Sequence, residues 1–461
     1  MSSELPFLPI TTLSDMVAHR QISPVEIVAA LLNRIDSYNA SLCSYITVCR
    51  ESAEQAAREA EKEIAAGRYK GPLHGIPISH KDISMTRGVR TTAHSRTLLE
   101  FVPDDDATHV SRLADAGMIL IGKTNTTEFA CGTMDVFGTS RNPWDLSCFT
   151  GGSSGGSANA VAAGLAVAAT GSDTGGSIRT PSSFCGIVGL KPTYGRVSRY
   201  GVIPLSWSMD HVGPMTRTVA DCALMLATMA GHDPLDPTTS FQQVPNYAAD
   251  LNREISGLVL GVPQQYFYEG LHPDVEAAVR AALQEFQRLG ARLEPVNLPH
   301  AGDMVTVGWT LMSAEAFGLH AARLRRQSAE YGARARHRIA TGAFLTAAEY
   351  QEAAQIRKLW VLELTRVMRR VDAIVTPVLP FPAFTLETQE TNPPETTWGT
   401  FHFNLSGHPA LSVPCGFTAA GLPIGMQLVA DALDEGTLFR VAHAYERTTE
   451  WHKRRPQLEA A

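Results

Sequence analysis

The chain has 461 residues, 44% of them hydrophobic and 18% charged, a composition that excludes intrinsic disorder and allows a large core. Its 39 basic and 46 acidic residues leave a net charge of −7, so electrostatics give no reason to expect nucleic acid as a partner. The seven cysteines (Cys43, Cys49, Cys131, Cys148, Cys185, Cys222 and Cys415) form no CxxC pair, which favours reduced thiols over a disulfide framework. The first residues show no basic-then-apolar leader, and no apolar run approaches the roughly 18 residues of a membrane span. A soluble cytoplasmic protein, free of membrane contact, is therefore expected.

In chain order, Ser23-Pro24-Val25-Glu26 has the form of a capping box with proline at the first helical position. Val28, Leu31, Leu32 and Ile35 then share one helical face. A second helix is predicted from Glu51 to Ala66, stopped by Gly67. Gly75 to Ser79 reads as a short strand that delivers Lys81 and Asp82 to its end. Asp106 is expected to cap a helix that ends near Gly117, with Met118 to Gly122 as the next strand; a metal at Asp104–Asp106 with His109 is the weaker reading. Further expected elements are a helix after Gly156, a strand around Ala166 to Thr170, and a helix from Thr218 to Met229. After a loop-like stretch at 231–246 come a strand at Gly257 to Val262 and a helix at Pro273 to Leu289. Residues 311 to 370 look entirely helical, Val371 to Thr376 and Ile424 to Val429 return to strand, and Leu438 to Tyr445 marks a final helix. This alternation predicts an α/β protein with a mostly parallel sheet covered on both faces. It is expected to form a single domain over 1–461, with a core at about 65–225 and a helical elaboration at about 300–400. Arg323, Arg325, Arg326, Arg334, Arg336 and Arg338 crowd the helical region, and a solvated face is the default reading.

Two glycine–serine clusters, GGSSGGS at 151–157 and GSDTGGSIR at 171–179, dominate the chemistry. Glycine lets such backbone fold tightly enough to aim N–H groups at an anion or a developing oxyanion. The first cluster also satisfies G-x-S-x-G, but the late histidines carry no hydrolase signature. No Gly-Lys-Ser/Thr follows for a phosphate loop, and H-E-x-x-H is absent. A serine hydroxyl needs a base within hydrogen-bonding reach, and lysine serves as that base only when desolvation or nearby positive charge lowers its pKa.

Taken with Gly75-Ile76-Pro77, Lys81-Asp82, FCGIVGLKPTYGRVS at 184–198, DHVGP at 210–214, DAIVTPVLPFPAF at 372–384 and SVPCGF at 412–417, the two clusters resemble the amidase signature family along nearly the whole chain. The resemblance implies an α/β/α sandwich around a large twisted mixed sheet. It also implies a Ser–cis-Ser–Lys triad in which Ser177 is the nucleophile, Ser153 the bridging serine after a cis peptide bond, and Lys81 the neutral base. The N–H groups of Thr174, Gly175, Gly176 and Ser177 would form the oxyanion hole. Asp173 and Arg179 would hold the loop, or Arg179 would meet a substrate carboxylate; Ser154 and Ser157 are expected to be structural. No metal and no cofactor is implied.

The 171–201 stretch resembles in particular the A subunit of glutamyl-tRNA amidotransferase. Two departures set the chain apart. GTMDVF at 132–137 is short for that relative, and residues 313–340 look more like those of stand-alone amidases. His80 beside the lysine, His94 where glycine is usual and Cys148 where arginine is usual are further oddities. His80 and His94 either line the site or pack beside it. Candidate substrate-lining residues are Met134, Val136, Phe137, Arg179, Trp207, Phe381 and Trp398, a set that favours uncharged, aryl groups. The main expectation is a hydrolase of small amides, esters or carbamates, acting as a monomer or homodimer without nucleic acid. The alternative is a glutaminase, the A subunit of an amidotransferase that works on misacylated tRNA with partner subunits.

Overall fold

A computed structural model describes residues 4–459. Its strands are β1 (Tyr45–Val48), β2 (Pro77–Lys81), β3 (Ile119–Thr124), β4 (Arg141–Asn142), β5 (Asp145–Phe149), β6 (Ala169–Asp173), β7 (Val188–Lys191), β8 (His211–Thr216), β9 (Val259–Pro263), β10 (Arg292–Val296), β11 (Ala373–Pro377), β12 (Ala410–Phe417) and β13 (Pro423–Val429). Eleven of them form one sheet in the order β1-β3-β2-β6-β8-β7-β12-β13-β11-β9-β10, while β4 and β5 make a separate hairpin. The fold is an α/β sandwich, and the strands themselves show why both faces are covered. Successive side chains of a strand point to opposite faces. In β11, Ala373 and Val375 join one apolar cluster and Ile374 joins the other; β13 divides Leu428 from Val429 in the same way. A sheet buried on both sides needs apolar residues at every position rather than at alternate ones.

The sheet is mixed, not mostly parallel. Only the β2–β3, β2–β6, β9–β10 and β9–β11 pairs are parallel. The alternation of strands and helices misled because several neighbours are joined without a helix. A short turn, with Thr418 N–H donating to Leu422 O at 2.8 Å, links β12 to β13, and a loop links β7 to β8. Antiparallel neighbours need no crossover helix.

Local signals mark most helices well. The helix Pro24–Leu42 carries the expected capping box, with Ser23 accepting from Val25 N–H at 3.0 Å and Glu26 accepting from Ser23 N–H at 2.9 Å. Helices Arg50–Ala65, Val219–Met229, Pro273–Arg288 and Glu435–Glu446 fall where the periodicity places them. Asp106 is not a cap. The helix Thr108–Asp115 starts after Ala107, and the Asp106 carboxylate accepts from Arg87 N–H at 2.7 Å instead. The long helical stretch divides into Met304–Gln327, Ala333–Thr341 and Ala347–Met368. At its second break a Cβ on Gly342 would lie 2.0 Å from Ser313 O, so only glycine lets the chain turn back against the first helix.

Trp360 ties this helical layer to the sheet side. Its ring is fully buried and its Nε1 donates to His402 O at 2.7 Å, in the short helix Phe401–Ser406 that backs the candidate site. Trp360→Ala is expected to cost about 3–5 kcal/mol through cavity formation and the orphaned carbonyl, read as a lower urea midpoint.

Candidate active site

β2 and β6 run parallel as neighbours, with Ser79 beside Ala169 and His80 beside Thr170. That register brings Lys81, the last residue of β2, next to Ser172. The Lys81 Nζ donates to Ser172 Oγ at 2.8 Å and to Ser153 Oγ at 2.6 Å. Ser153 comes from the turn before the helix Gly155–Ala162, and the Gly152–Ser153 bond is cis. The lysine is fully buried, and both acceptors are hydroxyls rather than carboxylates. Burial therefore lowers its pKa to about 7, although Asp173 and Asp210 pull it back upward. An amine held there can take up and give back a proton near neutral pH.

β6 ends at Asp173, and the chain turns through Thr174–Ser177 into the helix Arg179–Cys185. Asp173 organises this turn. Its carboxylate accepts from Gly176 N–H at 2.8 Å, from Ile178 N–H at 3.1 Å, and from Arg179 through Nε at 3.0 Å and Nη2 at 2.8 Å. Burial alone would raise the Asp173 carboxyl, but the Arg179 guanidinium overrides it and holds the group well below the usual carboxylate range. Thr174 is braced from behind, its Oγ1 donating to Asp210 at 2.6 Å. A Cβ on Gly175 would lie 2.5 Å from the Phe401 ring, and Gly176 adopts φ +125° with Thr400 Oγ1 2.3 Å from where its Cβ would be. The glycine pair is thus demanded by the helix packed against it. Ser177 follows, partly exposed, and lines the same cavity as Ser153.

Three of the four N–H groups expected to face an oxyanion remain available to that role. The Gly176 N–H is already spent on Asp173, whereas those of Thr174, Gly175 and Ser177 meet no acceptor among the described residues. Ser154 and Ser157 support the frame. Ser154 Oγ donates to Ser172 O at 3.2 Å, and Ser157 Oγ donates to Thr170 O at 2.9 Å.

The cavity over Ser177 measures about 210 Å³. One wall is the glycine-rich turn, and the opposite wall comes from the helical region: Trp309, Met312, Arg338 and the strap Pro393–Thr397. Arg338 donates to Cys131 O at 2.8 Å and lies 4.9 Å over the Trp309 ring. Glu395 accepts from Trp309 Nε1 at 3.0 Å. These two are the charged residues of the lining, one guanidinium and one carboxylate.

None of the expected substrate-lining residues borders this cavity. Met134 is buried and accepts from Ser140 N–H through its sulfur. Phe137 packs edge-on against His94, and Val136 gives its N–H to the same ring. Arg179 is fully buried, bonded to Asp173, to Gln427 at 2.6 Å and to Asn404 at 2.6 Å, so it supports the turn and cannot reach a substrate. Trp207 opens onto a different cavity. Phe381 packs on Phe384, and Trp398 stacks on Tyr266 at 4.9 Å. Aromatic rings bury against one another as readily as they line a pocket, and periodicity does not separate the two. With them goes the argument for an aryl substrate.

The two histidines pack beside the site. His80 faces away from Lys81, 3.0 Å from Thr170 Oγ1 and edge-on to His109. His94 is bonded to Asn125 and accepts from Val136 and Phe137 N–H groups. Sequence reasoning missed Ser172 and Asp210, each of which touches a candidate residue. It also assigned Arg338 to a solvated face. Asp210 stands inside DHVGP and Arg338 inside the arginine run, yet no spacing marks either as facing the turn.

The Amidase family model matches residues 26–439. The A subunit of the glutamyl-tRNA(Gln) amidotransferase of Geobacter sulfurreducens is 45% identical over 99% of this chain and 100% of its own length. The solved A subunit from Thermotoga maritima is 35% identical with a TM-score of 0.81, covering 96% of this chain and 95% of that one. The peptide amidase of Stenotrophomonas maltophilia is 31% identical with a TM-score of 0.86, covering 97% and 98%. The expectation of an amide-cleaving enzyme holds. That of a small-molecule substrate with no nucleic acid does not stand beside such full-length likeness to proteins named as A subunits of glutamyl-tRNA(Gln) amidotransferase. Net charge misled there, because it reports the average surface and not a local or shared binding face. No helix among the described residues is long and apolar enough to cross a membrane. In fold, motif order and sequence over almost its whole length, the chain is a member of the Amidase family of C–N hydrolases.

Proposed function

We propose that this chain is the amide-hydrolysing A subunit of a tRNA-directed amidotransferase, and that it releases ammonia from glutamine. The observation that carries this reading is the end-to-end identity with subunits of that name. The cavity supports it. A zwitterionic amino-acid amide presents one carboxylate and one ammonium, and the wall facing Ser177 offers Arg338 and Glu395 as complements.

In this reading Ser177 Oγ attacks the side-chain carbonyl of glutamine. Its proton passes through Ser153 to the neutral Lys81, and the oxyanion is met by N–H groups of the 174–177 turn. Collapse of the tetrahedral adduct breaks the C–N bond while Lys81, again through Ser153, returns the proton to the leaving nitrogen. Ammonia departs and leaves a glutamyl ester on Ser177, which water hydrolyses by the same route in reverse.

Because the base must be neutral, kcat/KM should rise with pH through about 7 and level off above it, following the lowered pKa of Lys81. A steady-state profile between pH 5 and about 9 checks this; an ascending limb near the ordinary lysine pKa of about 10.4 would remove Lys81 from the role. Arg338→Ala should raise KM for glutamine by about 10- to 100-fold with a smaller change in kcat, as expected for losing a charged hydrogen bond to bound substrate.

The whole reading is tested in the complex. Assembled with its partner subunits and glutamyl-tRNA(Gln), the wild type should support glutamine-dependent amidation of the tRNA-bound glutamate. Ser177→Ala should lose that activity yet retain amidation when ammonium chloride is supplied. Glutamine-dependent transfer that survives Ser177→Ala would overturn the proposal, as would failure of the wild-type complex to amidate glutamyl-tRNA(Gln).

A further inference from the structure

Behind the glycine-rich turn lies a second cavity of about 180 Å³, on the far side of Thr174 from the first. The two share Ala130, Thr174 and Leu205 as a partition. Its walls are apolar, built by Ile83, Val202, Ile203 and Val212. At its mouth the large apolar side chains of Tyr200, Trp207 and Leu235 are 37%, 56% and 61% exposed. Isolated surface apolar residues need no explanation, but three around the entrance of one cavity mark a binding feature.

The polar groups at the floor are biased toward accepting. Asp210 accepts from Thr174 Oγ1 at 2.6 Å, Leu205 N–H at 2.8 Å and Ser206 N–H at 3.0 Å, which leaves about one of its four carboxylate lone pairs unused, on Oδ1. His211 Nδ1 lies 2.6 Å from Met209 O, so that nitrogen carries the proton and Nε2 carries the lone pair. Nε2 is buried and has no hydrogen-bond partner among the described residues. Burial holds the ring neutral, so Nε2 stays an acceptor at ordinary pH. The one cation of the lining is already spent. Arg199 lies between the Tyr194 and Trp207 rings at 4.8 and 5.0 Å, and it donates to Trp207 O and Thr238 Oγ1. Ser172 and Asp236 complete the polar lining, and Asp236 is paired with Arg199 at 3.8 Å. The mainly apolar walls therefore favour an uncharged ligand, and the Asp210 acceptor calls for a donor.

We propose that this second cavity is a binding site for an uncharged aromatic molecule carrying one N–H or O–H at its edge, of the phenol or indole class. The ring fills the apolar walls and the donor meets the Asp210 carboxylate. The ligand sits against the back of Thr174, separate from the substrate over Ser177. This site goes beyond the amidotransferase reading and does not depend on it.

Isothermal titration and saturation-transfer NMR of the purified chain with indole, phenol and benzene read the site directly, whatever the tRNA activity proves to be. Indole and phenol should bind once per chain, each about 3- to 10-fold tighter than benzene, the usual worth of one neutral hydrogen bond. Their binding should persist after Ser177 is blocked by a sulfonyl fluoride. Leu235→Trp, a change at the exposed mouth, should abolish it while circular dichroism and amide turnover remain those of the wild type. Absence of saturable binding by either donor probe overturns the proposal. So does equal binding of benzene, or loss of binding on blocking Ser177, which would place the probe in the first cavity.

Discussion

The burial of Lys81 without a carboxylate partner is the constraint on which the rest of the site depends. An ammonium in that position would carry a large desolvation penalty, and the protein supplies only two hydroxyls to meet it. The amine therefore spends much of its time neutral near pH 7. Lys123 shows the contrast: equally buried and also lowered by burial, it has Asp82 at 3.6 Å to pull it back toward the charged form. Two lysines on neighbouring strands are thus placed in different environments by what the adjacent elements bring to them.

A second requirement is a turn that does not move. Asp173 collects the N–H groups of Gly176 and Ile178 and a double contact from the Arg179 side chain, so the Gly175–Ser177 backbone is held in place. Arg179 is in turn gripped by Gln427 on β13 and by Asn404 on the helix before β12. The geometry of a loop at residue 175 is therefore set by residues more than two hundred positions later. Preorganisation of this kind is what makes backbone donors effective toward a developing charge.

The frame around Ser177 comes from the sheet, whereas the far wall of its cavity comes from the helical layer. Trp309, Arg338 and Glu395 stand on three separate segments and meet only there. The frame and the far wall are thus built from separate parts of the chain, in a family that includes both peptide amidases and amidotransferase subunits. This division explains why an aromatic inventory of the chain was a poor guide to the cavity. Phe381 and Trp398 satisfy their own packing elsewhere, while a guanidinium and a carboxylate occupy the wall.

What the sequence determined by itself is the local chemistry: the capping box at Ser23, the glycine–serine clusters, the order of Lys81, Ser153 and Ser177, and membership of the family. These are short-range signals, since a cap, a tight turn or a motif is specified within a few residues. Only the tertiary structure decided strand direction, the burial of Lys81, the contribution of Ser172 and Asp210, and the charged wall of Arg338 and Glu395. Whether an arginine in a basic run faces water or a cavity, and whether a serine touches a lysine ninety-one positions earlier, depends on which strands become neighbours. That pairing is set by the packing of the whole chain, which no local pattern contains.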